Sequence, residues 1–238
     1  MAGDSAVLEA RGVSVGYGAI PVVRELDLTV GRGEVVALLG ANGAGKTTTL
    51  MALAGLLPLS AGAVYLHGKQ TTDTLFRRVR RGLSYVPEER GIFRQLTVME
   101  NLRLGRGDPA RAIELMPPLG ALTQRRAGLL SGGEQQMLSL ARALAAEPAV
   151  LLCDELSLGL APLIVERLLE RISVAAQAGL GVLLVEQQVR SALMVADRAY
   201  VLRRGRVVMS GTASELAERL DEIESHYLSG LETADERR

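Results

Sequence analysis

At 238 residues, 48% of them hydrophobic, the chain is long enough for one large α/β domain or two small ones, with a full core. Its 27 basic and 27 acidic residues cancel at a sequence pI near 6.8, so no global field draws it to nucleic acid or to an anionic membrane surface. Residues 1–12 lack an apolar core of signal-peptide length, no run approaches the ~18 apolar residues of a membrane span, and the single cysteine, Cys153, has no partner for an internal disulfide. The expectation is a soluble, cytoplasmic protein.

Leu8, Ala10, Val13 and Val15, and then Leu26, Leu28 and Val30, fall mostly at alternate positions, which predicts two half-buried strands in the first thirty residues. Tyr17 ends the first of them. Its ring either stacks on an adenine base or fills the core of the hairpin, and position alone does not choose. Gly31-Arg32-Gly33 is a turn, and the apolar run at 35–39 reads as a buried strand.

Gly40-Ala41-Asn42-Gly43-Ala44-Gly45-Lys46-Thr47 follows that strand directly and fits the Gly-x-x-x-x-Gly-Lys-[Ser/Thr] phosphate-binding pattern. Leu50, Leu53, Ala54 and Leu57 then recur at helical spacing, completing the order strand, glycine loop, helix. Glycines at 40, 43 and 45 let consecutive N–H groups close around phosphate oxygens at a helix N-terminus, whose dipole favours anions. The chain has only two lysines, Lys46 and Lys69, and Lys46 occupies the position the motif demands. There it reaches the terminal phosphates, while the Thr47 hydroxyl holds Mg2+.

Short strands are predicted at 63–66 and 83–86, the second running into Pro87-Glu88-Glu89-Arg90. Between them lies an arginine-dense helix at 73–81. With net charge zero and few aromatics nearby, Arg77, Arg78, Arg80 and Arg81 read as a solvated face rather than a nucleic-acid patch. Thr97-Val98-Met99-Glu100 is a capping box opening a helix. From about 91 to 148 the chain carries short helical segments broken by glycine and proline and shows no strand signal, as expected of a helical insertion in an α/β body.

Ser131-Gly132-Gly133-Glu134 is a second capping box, and its two glycines expose helix N-terminal amides to an anion in front of them. The buried run at 149–153 then ends in Asp154-Glu155. Two carboxylates at the C-terminal end of a buried strand beside a phosphate loop supply a Mg2+ ligand, Asp154, and a base for water, Glu155. A helix from Pro162 to the Gly179 stop, a strand at 181–185 leading to Glu186-Gln187-Gln188, and a hairpin around Arg203-Arg204-Gly205-Arg206 follow. The segment 212–228 reads as helical and 232–238 as a frayed tail.

This ordered set of motifs resembles the nucleotide-binding subunit of ATP-binding-cassette transporters, over nearly the whole chain. The resemblance implies a P-loop NTPase fold as a single domain. A RecA-like core with an antiparallel β subdomain takes about 1–90 and 149–238, and a helical subdomain about 91–148. It implies that Tyr17 and the Walker A residues Gly40, Asn42, Gly43, Ala44, Gly45, Lys46, Thr47 and Thr48 bind ATP, and that Ser131, Gly132, Gly133 and Glu134 of the signature motif bind it from a second cassette. Thr47, Glu88 and Asp154 are then the Mg2+ site, and Glu155, Gln187 and Lys46 the catalytic set. A DNA-repair or chromosome ATPase with the same head needs a long coiled coil between the phosphate loop and Ser131, for which there is no room. A small-molecule kinase or GTPase has no reason to carry the Leu130-Ser131-Gly132-Gly133-Glu134-Gln135 run.

A narrower resemblance is to the second ATPase of bacterial branched-chain amino-acid importers. It rests on Val86-Pro87-Glu88, Leu96-Thr97-Val98, Glu100-Asn101-Leu102, Ser157-Leu158-Gly159-Leu160-Ala161-Pro162 and Val185-Glu186-Gln187. It implies an ATP-hydrolysing importer motor at the cytoplasmic face of the membrane. Its partners would be a second ATPase subunit, in a heterodimer or a homodimer, two integral permeases and, indirectly, a solute-binding protein, with no nucleic acid. Glu88 stands where cassettes usually have glutamine, Gln187 where they have the switch histidine, and Leu160 where they have an aspartate. Leu156 stands where a proline nearly always follows the catalytic glutamate.

Overall fold

A computed structural model describes residues 6–18 and 20–228; the start of the chain and the tail expected at 232–238 lie outside the described residues. In chain order the strands are β1 (Ala6–Tyr17), β2 (Ile20–Gly31), β3 (Val35–Leu39), β4 (Ala61–Leu66), β5 (Lys69–Thr71), β6 (Leu83–Val86), β7 (Val150–Asp154), β8 (Gly181–Glu186), β9 (Arg198–Arg203) and β10 (Arg206–Thr212). The α-helices are α1 (Lys46–Ala54), α2 (Leu75–Arg80), α3 (Val98–Arg103), α4 (Pro109–Leu115), α5 (Gly132–Leu144), α6 (Pro162–Gln177), α7 (Val189–Leu193), α8 (Ala213–Ala217) and α9 (Leu220–Leu228).

A four-stranded antiparallel sheet runs β2-β1-β4-β5, and a six-stranded sheet runs β10-β9-β3-β8-β7-β6. Within the larger sheet every pairing is parallel except β9 with β10. Parallel strands are covered on both faces, which is why β3 is apolar throughout and β7 and β8 are apolar up to their last residues, Asp154 and Glu186, without polar alternation. One face presents Val36, Leu38, Leu152, Leu183 and Val185 to α1 and to the inner side of the small sheet. The other presents Leu151, Cys153, Val182 and Leu184 to α5 and α6. At one side α7, α8 and α9 close over Ala37, Leu39 and Val201.

The predicted alternation in β1 holds, with Leu8, Ala10, Val13 and Val15 all buried, and it slips between Ala10 and Val13, where Gly12 takes φ 55°. Both predicted capping boxes are formed, Thr97 with Glu100 and Ser131 with Glu134. Segment 91–148 carries α3, α4, two 3-10 turns (Pro117–Leu122 and Ala127–Leu129) and α5.

Two expectations need correction. Arg78 does not belong to a solvated face: it is 3% exposed, and its guanidinium donates to the carbonyls of Ala52 and Leu53 at the C-terminus of α1 and to that of Asp73. It thus gives a donor to the Leu53 carbonyl, which the end of the helix leaves unpaired, and a second donor to that of Ala52, which already accepts the Gly55 N–H. Arg77 is exposed, as expected. The C-terminal helix is also two helices, because the chain turns at Glu218 and Arg219 between α8, itself opened by a Thr212–Glu215 capping box, and α9.

Candidate functional site

The parallel register decides what meets at the C-terminal edge of the large sheet. Leu39 pairs with Glu186 and Asp154 with Val185, so the residues after β3, β7 and β8 emerge side by side. These are the phosphate loop, Glu155 and Gln187.

The loop is shaped by its glycines. Gly45 caps α1 at φ 106°, a conformation that suits glycine, and a Cβ on Gly40 would lie 2.5 Å from the Leu202 carbonyl oxygen. Asn42 and Gly43 form its exposed crest, while Ala44, Lys46 and Thr48 are buried. The Lys46 ammonium turns into the loop, donating to the carbonyls of Gly40 (2.9 Å) and Ala41 (3.3 Å), and lies 3.1 Å from Glu155 Oε1. The cation is held by two carbonyl dipoles and one carboxylate, partners of the kind that phosphate oxygens replace.

Thr47 donates its hydroxyl to Asp154 Oδ1 at 3.3 Å, and Asp154 Oδ2 is buried with no hydrogen-bond partner among the described residues. Burial pushes the Asp154 carboxyl up to about 6, and the negative charges of Glu155 and Glu88 add to the rise, against the Thr47 bond and Lys46. An orphaned carboxylate oxygen next to a threonine hydroxyl, with Glu88 exposed in the turn after β6, is an all-oxygen donor set that fits Mg2+. Cys153, on the same strand, is fully buried and its thiol is pushed well up by that burial, so it is packing and not a ligand.

Tyr17 is 52% exposed and directs its hydroxyl toward Met51 Sδ on α1 at 3.9 Å. The hairpin-core alternative falls, and an open aromatic face remains beside the first helix. Gln187 is exposed immediately after β8. Ser131, Gly132, Gly133 and Glu134 stand at the solvent-facing start of α5, and among the described residues no hydrogen bond or ion pair joins them to the loop at 40–48. The base of α5 is tied to the turn after β6: Arg90 donates to Gln135 at 2.7 Å, and Ser139 donates to the Arg90 carbonyl.

Sequence reasoning gave no role to Glu186, which is 2% exposed and accepts both the N–H (3.1 Å) and the hydroxyl (2.5 Å) of Ser157. Its carboxyl is pushed up to about 7, chiefly by burial, with the Ser157 bonds opposing and the charge of Glu155 adding. The signal was present: a carboxylate ending a buried strand needs a partner, the same argument that singled out Asp154.

A family model described as ABC transporter matches residues 23–157. Over 228 residues the chain is 41% identical to the high-affinity branched-chain amino acid transport ATP-binding protein BraG of Pseudomonas aeruginosa, covering 92% of this chain and 97% of that one. It is 38% identical over 223 residues to the lipopolysaccharide export system ATP-binding protein LptB of Escherichia coli, covering 89% and 92%. A solved ATP-binding subunit of an ABC transporter superposes with a TM-score of 0.81 at 31% identity, covering 93% of this chain and 99% of that one. The chain belongs to the ABC transporter ATP-binding family, and is an ATP-hydrolysing transporter subunit with the P-loop ABC ATPase fold. Among the described residues no helix is long and apolar enough to cross a membrane.

Proposed function

We propose that this chain is the motor subunit of an importer for amino acids, branched-chain amino acids first among them, with urea or short amides as the nearest alternatives. The observation that carries the reading is the similarity to BraG across almost the full length of both proteins. The chain works as one domain, a core of about 1–90 and 149–238 with a helical subdomain at about 91–148. It pairs with a second cassette, a different ATPase subunit in preference to a second copy, and sits on the cytoplasmic face of the membrane against two permeases served by a solute-binding protein. Nucleic acid is not a partner.

In that assembly the amides of the 40–48 loop and the Lys46 ammonium bind the phosphates, and Tyr17 supports the adenine ring. Ser131, Gly132, Gly133 and Glu134 reach the nucleotide held by the partner cassette, so ATP draws the two together. Thr47, Asp154 and Glu88 hold Mg2+, which when bound neutralises phosphate charge as it develops. Glu155 accepts the proton of the attacking water, and the Gln187 amide donates a hydrogen bond to the γ-phosphate without adding charge.

The similarity to LptB favours a second reading, a motor for export of lipopolysaccharide. Uptake of radiolabelled leucine by cells lacking this chain separates the two. Import predicts that uptake falls, returns with the wild-type chain and stays low with Lys46→Ala. Unchanged uptake together with a defect in outer-membrane lipopolysaccharide overturns it.

A further inference from the structure

Glu155 stands in a backbone conformation that must be held in place. Its φ is 46°, in the left-handed region that non-glycine residues adopt only when their surroundings enforce it. Leu156 follows it, and has no ring to fix the turn as proline does. Hydrogen bonds take over that task. The Glu155 N–H donates to the Val185 carbonyl at 2.9 Å, and the Leu158 N–H donates to the Glu155 carbonyl at 3.2 Å. Beyond Leu156, itself 1% exposed, the carboxyl of Glu186 engages Ser157 twice, Oε1 with the N–H and Oε2 with the hydroxyl.

Because the two bonds use different oxygens, they fix both the rotation of the Glu186 side chain and the path of the 156–158 turn. Ser157 is 4% exposed, so water does not compete for either bond. Glu186 is also the residue directly before Gln187. One buried carboxyl therefore connects the backbone that carries Glu155 to the backbone that carries Gln187.

We propose that Glu186 is a positioning residue for ATP hydrolysis: through Ser157 it locks the turn that aims Glu155, and it holds Glu155 and Gln187 in one rigid frame. The inference rests on the reading of Glu155 as the group that activates water. None of the loop atoms at 40–48 that receive the phosphates takes part in the clamp, so its loss misaims the base without weakening ATP binding. A displacement of about 1 Å in a reacting group costs on the order of 100-fold in rate.

The test is turnover per ATP-binding site, with KM for ATP and unfolding temperature, in the complex purified through a tag on the full-length chain. Glu186→Met removes both bonds, Ser157→Ala removes one, and Ser157→Thr keeps both. The expected order is a loss in kcat of about 100-fold for Glu186→Met, about 10-fold for Ser157→Ala and less than about 3-fold for Ser157→Thr, with KM within about 2-fold throughout. If Glu186→Met does not fold, the contrast between Ala and Thr at 157 decides alone. Ser157→Ala turning over within about 2-fold of wild type, or kcat and KM worsening together, overturns the proposal. Glu155→Gln run alongside separates the two levels: if it abolishes turnover while Ser157→Ala does not, only the positioning role fails, and if it leaves turnover intact, the reading of Glu155 fails with it.

Discussion

The Nζ of Lys46 lies 3.1 Å from Oε1 of Glu155, and both side chains are nearly dry, 4% and 11% exposed. The cation that the phosphate loop provides and the carboxylate after β7 are thus each other's counterion. On the proposed reading, a phosphate entering the loop competes with Glu155 for that ammonium, which leaves the carboxylate available to a water in front of it. If Glu155 is the base, as proposed, binding and its activation are one exchange of partners.

Replacing Lys46 with alanine tests the first half of that exchange. Among the described residues the ammonium contacts only Gly40, Ala41 and Glu155, so the fold should persist, as read by circular dichroism. Turnover should fall by at least ~100-fold, the scale of losing one preorganised charge-stabilising donor. Turnover near wild type would remove the phosphate-loop assignment.

Arg78 gives a prediction about stability that touches no functional residue. Arg78→Met keeps the aliphatic stem but strips the donors from the carbonyls of Leu53 and Asp73, leaving Ala52 only its bond from the Gly55 N–H, and buried acceptors left unmatched cost about 1–3 kcal/mol. Chemical denaturation should show that loss. Arg77→Met, on the exposed side of the same helix, should change stability by less than ~0.5 kcal/mol. Equal effects at the two positions would contradict the capping role.

Glu186 predicts a pH dependence of stability. Its folded value is raised from 4.5 to about 7, so the native state holds a proton that the unfolded chain has already released. Its contribution is therefore fully present below about pH 4.5 and is lost as pH rises to about 7, on the order of 3 kcal/mol across the window. Glu186→Gln can keep both contacts with Ser157, accepting the N–H and donating to the hydroxyl, and does not titrate. Subtracting the variant's stability curve from the wild type's should leave a difference falling between those pH values and flat above them, and its turnover should stay close to wild type. A flat difference throughout would mean that the carboxyl is ionised in the fold across the range.

What the sequence made legible was local. The phosphate loop announces itself because its glycines, Lys46 and Thr47 are consecutive, and the capping boxes at Thr97 and Ser131 because each closes within four residues. Arg78 was misread because its neighbour is not in its own helix: whether an arginine on α2 meets water or the end of α1 depends on how the two helices pack. The Glu186–Ser157 contact spans 29 residues in the chain and exists only because β7 and β8 lie in parallel register. The segment 212–228 has helical periodicity throughout, and its break at Glu218 and Arg219 follows from α8 and α9 packing separately over the sheet edge. Tyr17 was undecidable from position because it ends a strand, where alternation no longer specifies a face.

The assembly is tested most directly by Glu155→Gln, which removes the proposed base but leaves Lys46, Thr47 and Asp154 to hold ATP and Mg2+. Sedimentation of the full-length variant with its companion cassette, in ATP with Mg2+ and again in ADP, reports whether two cassettes close on the nucleotide. A stable dimer in ATP that dissociates in ADP is the predicted result. A variant that hydrolyses ATP at the wild-type rate, or one that stays monomeric in ATP both alone and with its companion, would contradict the role given to Glu155.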